Sequence, residues 1–303
     1  MHHYLGIILA GTTAGVLIRL LLLRVDYRQY PGYPHGMIAH ISLGFIAAAL
    51  GAVVVPAILK PDFAAVTFLA LAAQQFREIR SMERITLENL EETELVKRGN
   101  DYIEGIARTF EARNYLVMAS SLSVSIAYYL GGFPGSILMT ILWVTFSITL
   151  KSGENIGDIC EVLPAIISFD GSRLKVDEIV IMNVGLPEMR EKILKEALGV
   201  RLKPKGTNAR AFINDIGQRM AITHTAATIL GIKKDIDTPE LTPLARKNLD
   251  TGEVGMYILP MIQDMEALIM AVKRSPVLES SRSKPLSTEA GRMAALKNDK
   301  HRR

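Results

Sequence analysis

The sequence predicts a multi-pass α-helical membrane domain of about five spans followed by a small cytoplasmic α/β domain. Three observations predict it. Apolar residues crowd into the first half of the 303-residue chain and give it a positive mean hydropathy. Cationic residues gather in two stretches, 24–36 and 77–114, that sit between apolar runs. After residue 150 the composition turns charged, and strand-like and helix-like runs alternate.

Taken in order, 4–23 reads as a retained span without a convincing cleavage site, with Arg19 near its end snorkelling toward Arg24. Residues 24–36 carry Tyr27, Tyr30, Pro31, Tyr33 and Pro34, an interfacial mixture of aromatics and turn formers. The run 37–59 is long enough to cross a hydrocarbon core of about 30 Å. Its His40 reads as a satisfied polar residue near a span end. The run 63–76 is short, but charge decides its path. Arg24 and Arg28 can share a side with Arg77, Arg80, Arg84, Lys97, Arg98, Arg108 and Arg113 only if two crossings intervene. So 63–76 is expected to cross and to continue into the charged stretch. The runs 115–130 and 133–150 then form a tight pair around the Gly-Gly-Phe-Pro-Gly of 131–135. Five crossings put the N-terminus outside and the C-terminal domain in the cytoplasm.

Within 77–114, Asn100 and Asp101 are natural N-caps for a helix whose Ile103, Ile106, Ala107 and Phe110 share one face. Gly105 inside that helix costs about 1 kcal/mol against Ala and predicts close packing on its face. Glu104 has two readings: an i,i+4 partner of Arg108 in solvent, or a polar contact with the C-terminal domain or a partner. The hexapeptide Tyr102, Ile103, Glu104, Gly105, Ile106, Ala107 matches the motif that names the YIEGIA family of membrane proteins from endospore-forming bacteria. The chain resembles that family over essentially its whole length. The resemblance implies a role in sporulation and aspartic-protease activity.

The C-terminal domain, 151–278, opens on a hairpin signal at Asp170-Gly171. A strand-like run follows at 178–184, a proline-initiated helix at 189–198, and a short strand at 200–203. Residues 207–230 read as one long helix capped by Thr207 or Asn208. A proline-bearing connection with a basic, helix-like stretch at 244–247 leads to a strand at 254–259 and a helix at 264–273. The segment 279–303 is rich in Ser, Lys and Arg and reads as a disordered basic tail.

An aspartic protease needs two carboxylates that share a proton. Leu249-Asp250-Thr251-Gly252 matches the hydrophobic-Asp-Thr-Gly signature of such enzymes, and Phe169-Asp170-Gly171-Ser172 echoes it in part. Asp250 is therefore the candidate catalytic residue and Asp170 its candidate partner, acting on a cytoplasmic protein. Both triplets are also ordinary turns. One usable Asp per chain would require a homodimer. The rival reading is a non-catalytic membrane scaffold or regulator that binds a partner protein through 77–114 and the C-terminal domain. No metal site is expected, because His224 has no second His or Cys at ligand spacing. Lone Cys160 excludes an internal disulfide and reads as a small apolar residue. The basic run 203–210 reads as a capped helix start rather than a nucleotide site, so no cofactor is expected. A net charge of +4 suits anionic lipid headgroups, and no nucleic-acid motif appears.

Overall fold

A computed structural model describes residues 2–26, 34–60, 63–149, 153–235, 238–239 and 241–282. The loop residues Tyr27, Arg28, Tyr30 and Tyr33, and the tail beyond Arg282, lie outside the described residues. The chain forms two compact units. One comprises the chain up to Ile85 together with Ile106–Gly153, and the other comprises Thr86–Gly105 and the chain from Glu154 onward.

The first unit is helical. Its elements are α1 (His2–Asp26), α2 (Pro34–Leu59), α3 (Phe63–Leu90) and α4 (Asn100–Thr149), the last two shared with the second unit at their outer ends. Among the described residues, three helices are long and apolar enough to cross a membrane: Tyr4–Leu23, Gly36–Leu59 and Asn100–Thr149. Helix α3 runs unbroken from its apolar start into its charged end and is not one of them. Small residues let these helices close on each other, as expected where lipid gives no hydrophobic drive to association. A methyl on Gly15 would stand 2.7 Å from the Ala48 Cβ. Ser121 donates to the Ala48 carbonyl at 2.6 Å, and Ser125 to the Ile7 carbonyl at 3.2 Å. At 50 residues α4 would be about 75 Å long if straight, more than twice a hydrocarbon core. It is not straight. Gly132, with φ 60° and ψ −153°, breaks it two residues before Pro134. A methyl on Gly135 would stand 2.6 Å from the Ala127 carbonyl, so the chain doubles back on itself.

The second unit is α/β. Helix α5 (Ile156–Ile159) leads into β1 (Cys160–Ala165), β2 (Ile167–Asp170), β3 (Arg173–Val176) and β4 (Ile179–Asn183). Helix α6 (Pro187–Glu196), started by its proline, precedes β5 (Leu198–Pro204), α7 (Thr207–Ile213) and α8 (Ile216–Leu230). Then follow β6 (Lys234–Asp235), β7 (Thr238–Pro239), β8 (Leu244–Lys247), β9 (Val254–Ile258), α9 (Met265–Arg274) and α10 (Glu279–Arg282). The main sheet is antiparallel in the order β1-β5-β9-β8, beside a β2-β3-β4 meander and a β6-β7 pair. Every residue of β9 is buried. Val254, Met256 and Ile258 enter the core formed with α8 and α9, while Tyr257 enters the core under the meander. The alternation of a strand explains the split.

Several local expectations need correction. Residues 207–230 form two helices, because Asp215 accepts the Gln218 N–H at 3.1 Å and starts a new one. Gly206, rather than Thr207 or Asn208, holds the cap position of α7. The helix-like 244–247 is strand β8, paired from Leu244↔Tyr257 to Lys247↔Val254, so tertiary pairing overrides local propensity. Asp170 ends β2 opposite Arg173, and the hairpin loop is Gly171-Ser172, with Gly171 at φ 62°. Gly99, at φ 85°, accepts the Tyr102 and Ile103 N–H groups at 3.1 Å, so Asn100 and Asp101 already lie inside α4.

Candidate functional site

Asp170 and Asp250 lie at the tips of two different hairpins. The Asp170 carboxylate is 58% exposed and pairs with Arg173 of its own hairpin at 2.6 Å. Asp250 sits on the exposed turn between β8 and β9. There Asn248 Oδ1 accepts the Asp250 and Thr251 N–H groups at 2.9 and 3.2 Å, and the Thr251 hydroxyl accepts the Glu253 N–H at 3.2 Å. Arg210 donates to the Leu249 and Asp250 carbonyls at 3.3 and 3.2 Å. Asp-Thr-Gly does follow a strand, but as a self-satisfied turn with Gly252 at φ 73°. A dyad requires two carboxylates in contact, sharing a proton away from water. The aspartic-endopeptidase reading is therefore corrected: Asp170 is the exposed last residue of β2 and Asp250 an exposed turn residue. Among the described residues, moreover, no group of three or more His, Cys, Asp or Glu is placed to hold a metal.

The hexapeptide is a packing element. Tyr102, Ile103, Ile106 and Ala107 are at most 5% exposed, Gly105 is buried, and Glu104 is half-buried. In the second unit a methyl on Gly105 would stand 2.6 Å from Ser280 Oγ, and one on Gly217 would stand 2.8 Å from the Asp101 carbonyl. Buried Gln218 fastens the segment that reaches Gly105. Its Nε2 donates to the Pro276 carbonyl at 3.0 Å, and its Oε1 accepts from the Leu278 N–H at 2.7 Å and the Ser281 hydroxyl at 3.3 Å. Glu91 accepts from both the Arg98 side chain and its N–H, at 2.6 and 2.7 Å. His224 Nδ1 lies 2.9 Å from the Val96 carbonyl, which makes it the protonated nitrogen, and its ring meets Tyr102 edge-on. Burial, then the Arg98 charge, lowers the His224 pKa below its usual 6.5. Cys160 is buried, and burial pushes its thiol up to about 12, so it is inert packing.

Sequence reasoning missed a buried ionic network in the helical unit. Arg19 is 1% exposed and does not snorkel: its Nη1 donates to Asp26 Oδ2 at 2.7 Å. Its Nε donates to the His40 carbonyl at 3.4 Å, and its Nη2 lies 3.2 Å from His40 Nδ1. On the far side of the imidazole, Nε2 is 3.7 Å from Glu83 Oε1. Arg113 reaches Asp26 Oδ1 at 3.5 Å, and Phe110 stacks on His40 with ring centroids 4.3 Å apart. All four helices contribute. The available signal was Arg19 lying inside a span, seven residues before Asp26, because an ion in hydrocarbon needs a partner.

Comparison with known proteins places these features in a family. The family model described as "YIEGIA protein" matches residues 7–288. The "Uncharacterized protein YphB" of Bacillus subtilis (strain 168) is 43% identical over 281 residues, covering 93% of this chain and 95% of that protein. No solved structure matches.

Proposed function

The chain belongs to the YIEGIA protein family, and on that premise we propose that it is a non-catalytic membrane scaffold or regulator acting in sporulation. It binds a partner protein through residues 77–114 and its C-terminal domain. Residues 1–150 form the membrane domain with a cytoplasmic helical stretch at 77–114, residues 151–278 form the cytoplasmic α/β domain, and 279–303 carry a basic C-terminal run whose first residues, Glu279–Arg282, are helix α10 rather than disordered chain. In this reading α3 and the two halves of α4 all cross, giving five spans with the N-terminus outside. Tyr102, Ile103, Glu104, Gly105, Ile106 and Ala107 give α4 its packing.

One observation carries the proposal. On the charged half of α3, Met82 and Ile85 are 52% and 49% exposed beside exposed Arg84. Apolar anchors within a charged rim are the composition of a protein-binding patch. A photo-crosslinking residue at Met82, in sporulating cells at native protein level, tests this. A discrete adduct that disappears in a Met82→Glu/Ile85→Glu variant supports it, and an adduct to the chain itself would make the partner a second copy. No adduct, together with normal spores from the double variant, overturns it.

A further inference from the structure

The turn between β8 and β9 holds a large apolar side chain out in water: Leu249 is 77% exposed. The backbone beneath it is closed on itself. The Gly252 N–H donates to the Asn248 carbonyl at 2.9 Å, and the Asn248 N–H to the Glu253 carbonyl at 2.8 Å. Asn248 Oδ1 takes two more N–H groups, and Arg210 takes the Leu249 and Asp250 carbonyls. A methyl on Gly252 would collide with the Arg210 guanidinium, so α7 braces the turn closely. A braced tip with most of its backbone groups paired can leave water with little desolvation penalty.

The flanks of this tip are cationic. Arg246 and Lys247 are exposed on β8 and have no carboxylate partner among the described residues. Arg210 binds carbonyls, so its charge is not compensated. Arg219 of α8 donates to the Asn214 carbonyl at 2.7 Å. Burial, then the Arg246 charge, holds the Arg219 pKa below its ordinary value, with Asp101 opposing. Ile216, 49% exposed, stands one turn before Arg219 on α8. The acids here are Asp250 and Glu253 of the turn and Asp101 near Arg219. Apolar anchors among uncompensated cations complement a surface that is anionic outside and apolar within, which is a bilayer carrying acidic lipids. The helical unit has helices long enough to cross a bilayer, so the covalent link keeps such a surface at high effective concentration.

We propose that the β8–β9 hairpin docks on an anionic lipid surface, with Leu249 entering the boundary between headgroups and acyl chains while Arg210, Arg246 and Lys247 meet headgroup phosphates. This goes beyond partner binding at Met82 and Ile85 and does not rest on it.

The test uses the full chain in phosphatidylethanolamine–phosphatidylcholine vesicles with and without phosphatidylglycerol. In a Cys160→Ser background, a nitroxide on a cysteine at position 249 replaces the leucine as apolar tip. A second chain carries the label in place of Met261, an apolar position of the same unit that is 62% exposed. Collision with oxygen, which concentrates in lipid, and with a water-soluble nickel chelate reports what surrounds each label. The 249 label should show a lipid-facing population only with phosphatidylglycerol present, and the 261 label should stay aqueous in both. Arg246→Ala and Lys247→Ala should each lower the ratio of lipid-facing to water-facing label about five-fold. Asp250→Asn should raise it. Salt at about 1 M, where the Debye length falls to about 3 Å, should remove the lipid-facing population without any further substitution. The proposal is overturned by a 249 label that is aqueous in both vesicles, lipid-facing in both, or matched by the 261 label. A label shielded from both collision partners, as a covering protein would leave it, overturns it too, and so does indifference to salt and to both alanine changes.

Discussion

Gly105 and Ser280 approach so closely that a methyl on the glycine would stand 2.6 Å from the serine Oγ, inside van der Waals contact. Gly105→Ala should therefore destabilise the second unit by about 1–3 kcal/mol, the usual cost of overpacking, despite the better helix propensity of Ala. Ser280→Gly should restore most of it in the double variant. Denaturant unfolding of the four chains of that cycle checks both expectations.

Asp26 serves two cations at once, Arg19 and Arg113. Asp26→Asn takes the carboxylate from the buried Arg19 guanidinium, and loss of one partner of a buried pair costs about 3–5 kcal/mol. Replacing Arg19 by Met together with Asp26→Asn should cost less than the two single changes summed. Thermal unfolding in one detergent at fixed concentration measures the difference.

Gln218 makes three bonds to the stretch 276–281. Gln218→Leu strands the buried Leu278 N–H, at about 1–3 kcal/mol for an unsatisfied donor. Limited proteolysis should then cut near residues 276–282 before cutting elsewhere in the second unit.

His224 gives the folded state a pH dependence with a definite sign. Its folded pKa lies below the 6.5 of the free side chain. The unfolded chain therefore binds the proton first, and stability falls as pH drops through 6.5 toward the folded value. His224→Gln should flatten that part of the stability–pH curve, as read by denaturant midpoints at successive pH values.

Asp170→Asn and Asp250→Asn should each change stability by less than about 0.5–1 kcal/mol, as exposed turn residues do. Sporulating cells carrying either variant should show the same new protein N-termini as the wild type.

Local chemistry made much of the architecture legible. Apolar run length announced α1 and α2, Pro187 announced α6, and the Gly-Gly-Phe-Pro-Gly stretch announced the break at Gly132. One misread segment was settled by pairing with another strand, the other by a single local cap. Leu244–Lys247 has helix-forming residues but takes its form from β9, and 207–230 was divided by one capping acid, Asp215. The Asp-Thr-Gly triplet advertised chemistry, yet only the exposure and hydrogen bonds of its turn show what it does. The ionic network was hidden for the opposite reason: Arg19, His40, Glu83 and Arg113 are far apart in sequence, and each has a bland explanation on its own.

The reversal at Gly132 changes what counts as a separable piece of this protein. Because α4 returns the way it came, the membrane hairpin is an insertion into the α/β unit rather than a prefix to it. Leu95 and Val96, upstream of the hairpin, pack against the core made downstream, and Val96 holds His224. A fragment begun at Glu154 would thus be missing one wall, however well its boundary matched the change in composition. The autonomous version is a splice, with Thr86–Gly105 joined to Glu154 by a short linker in place of the excised hairpin.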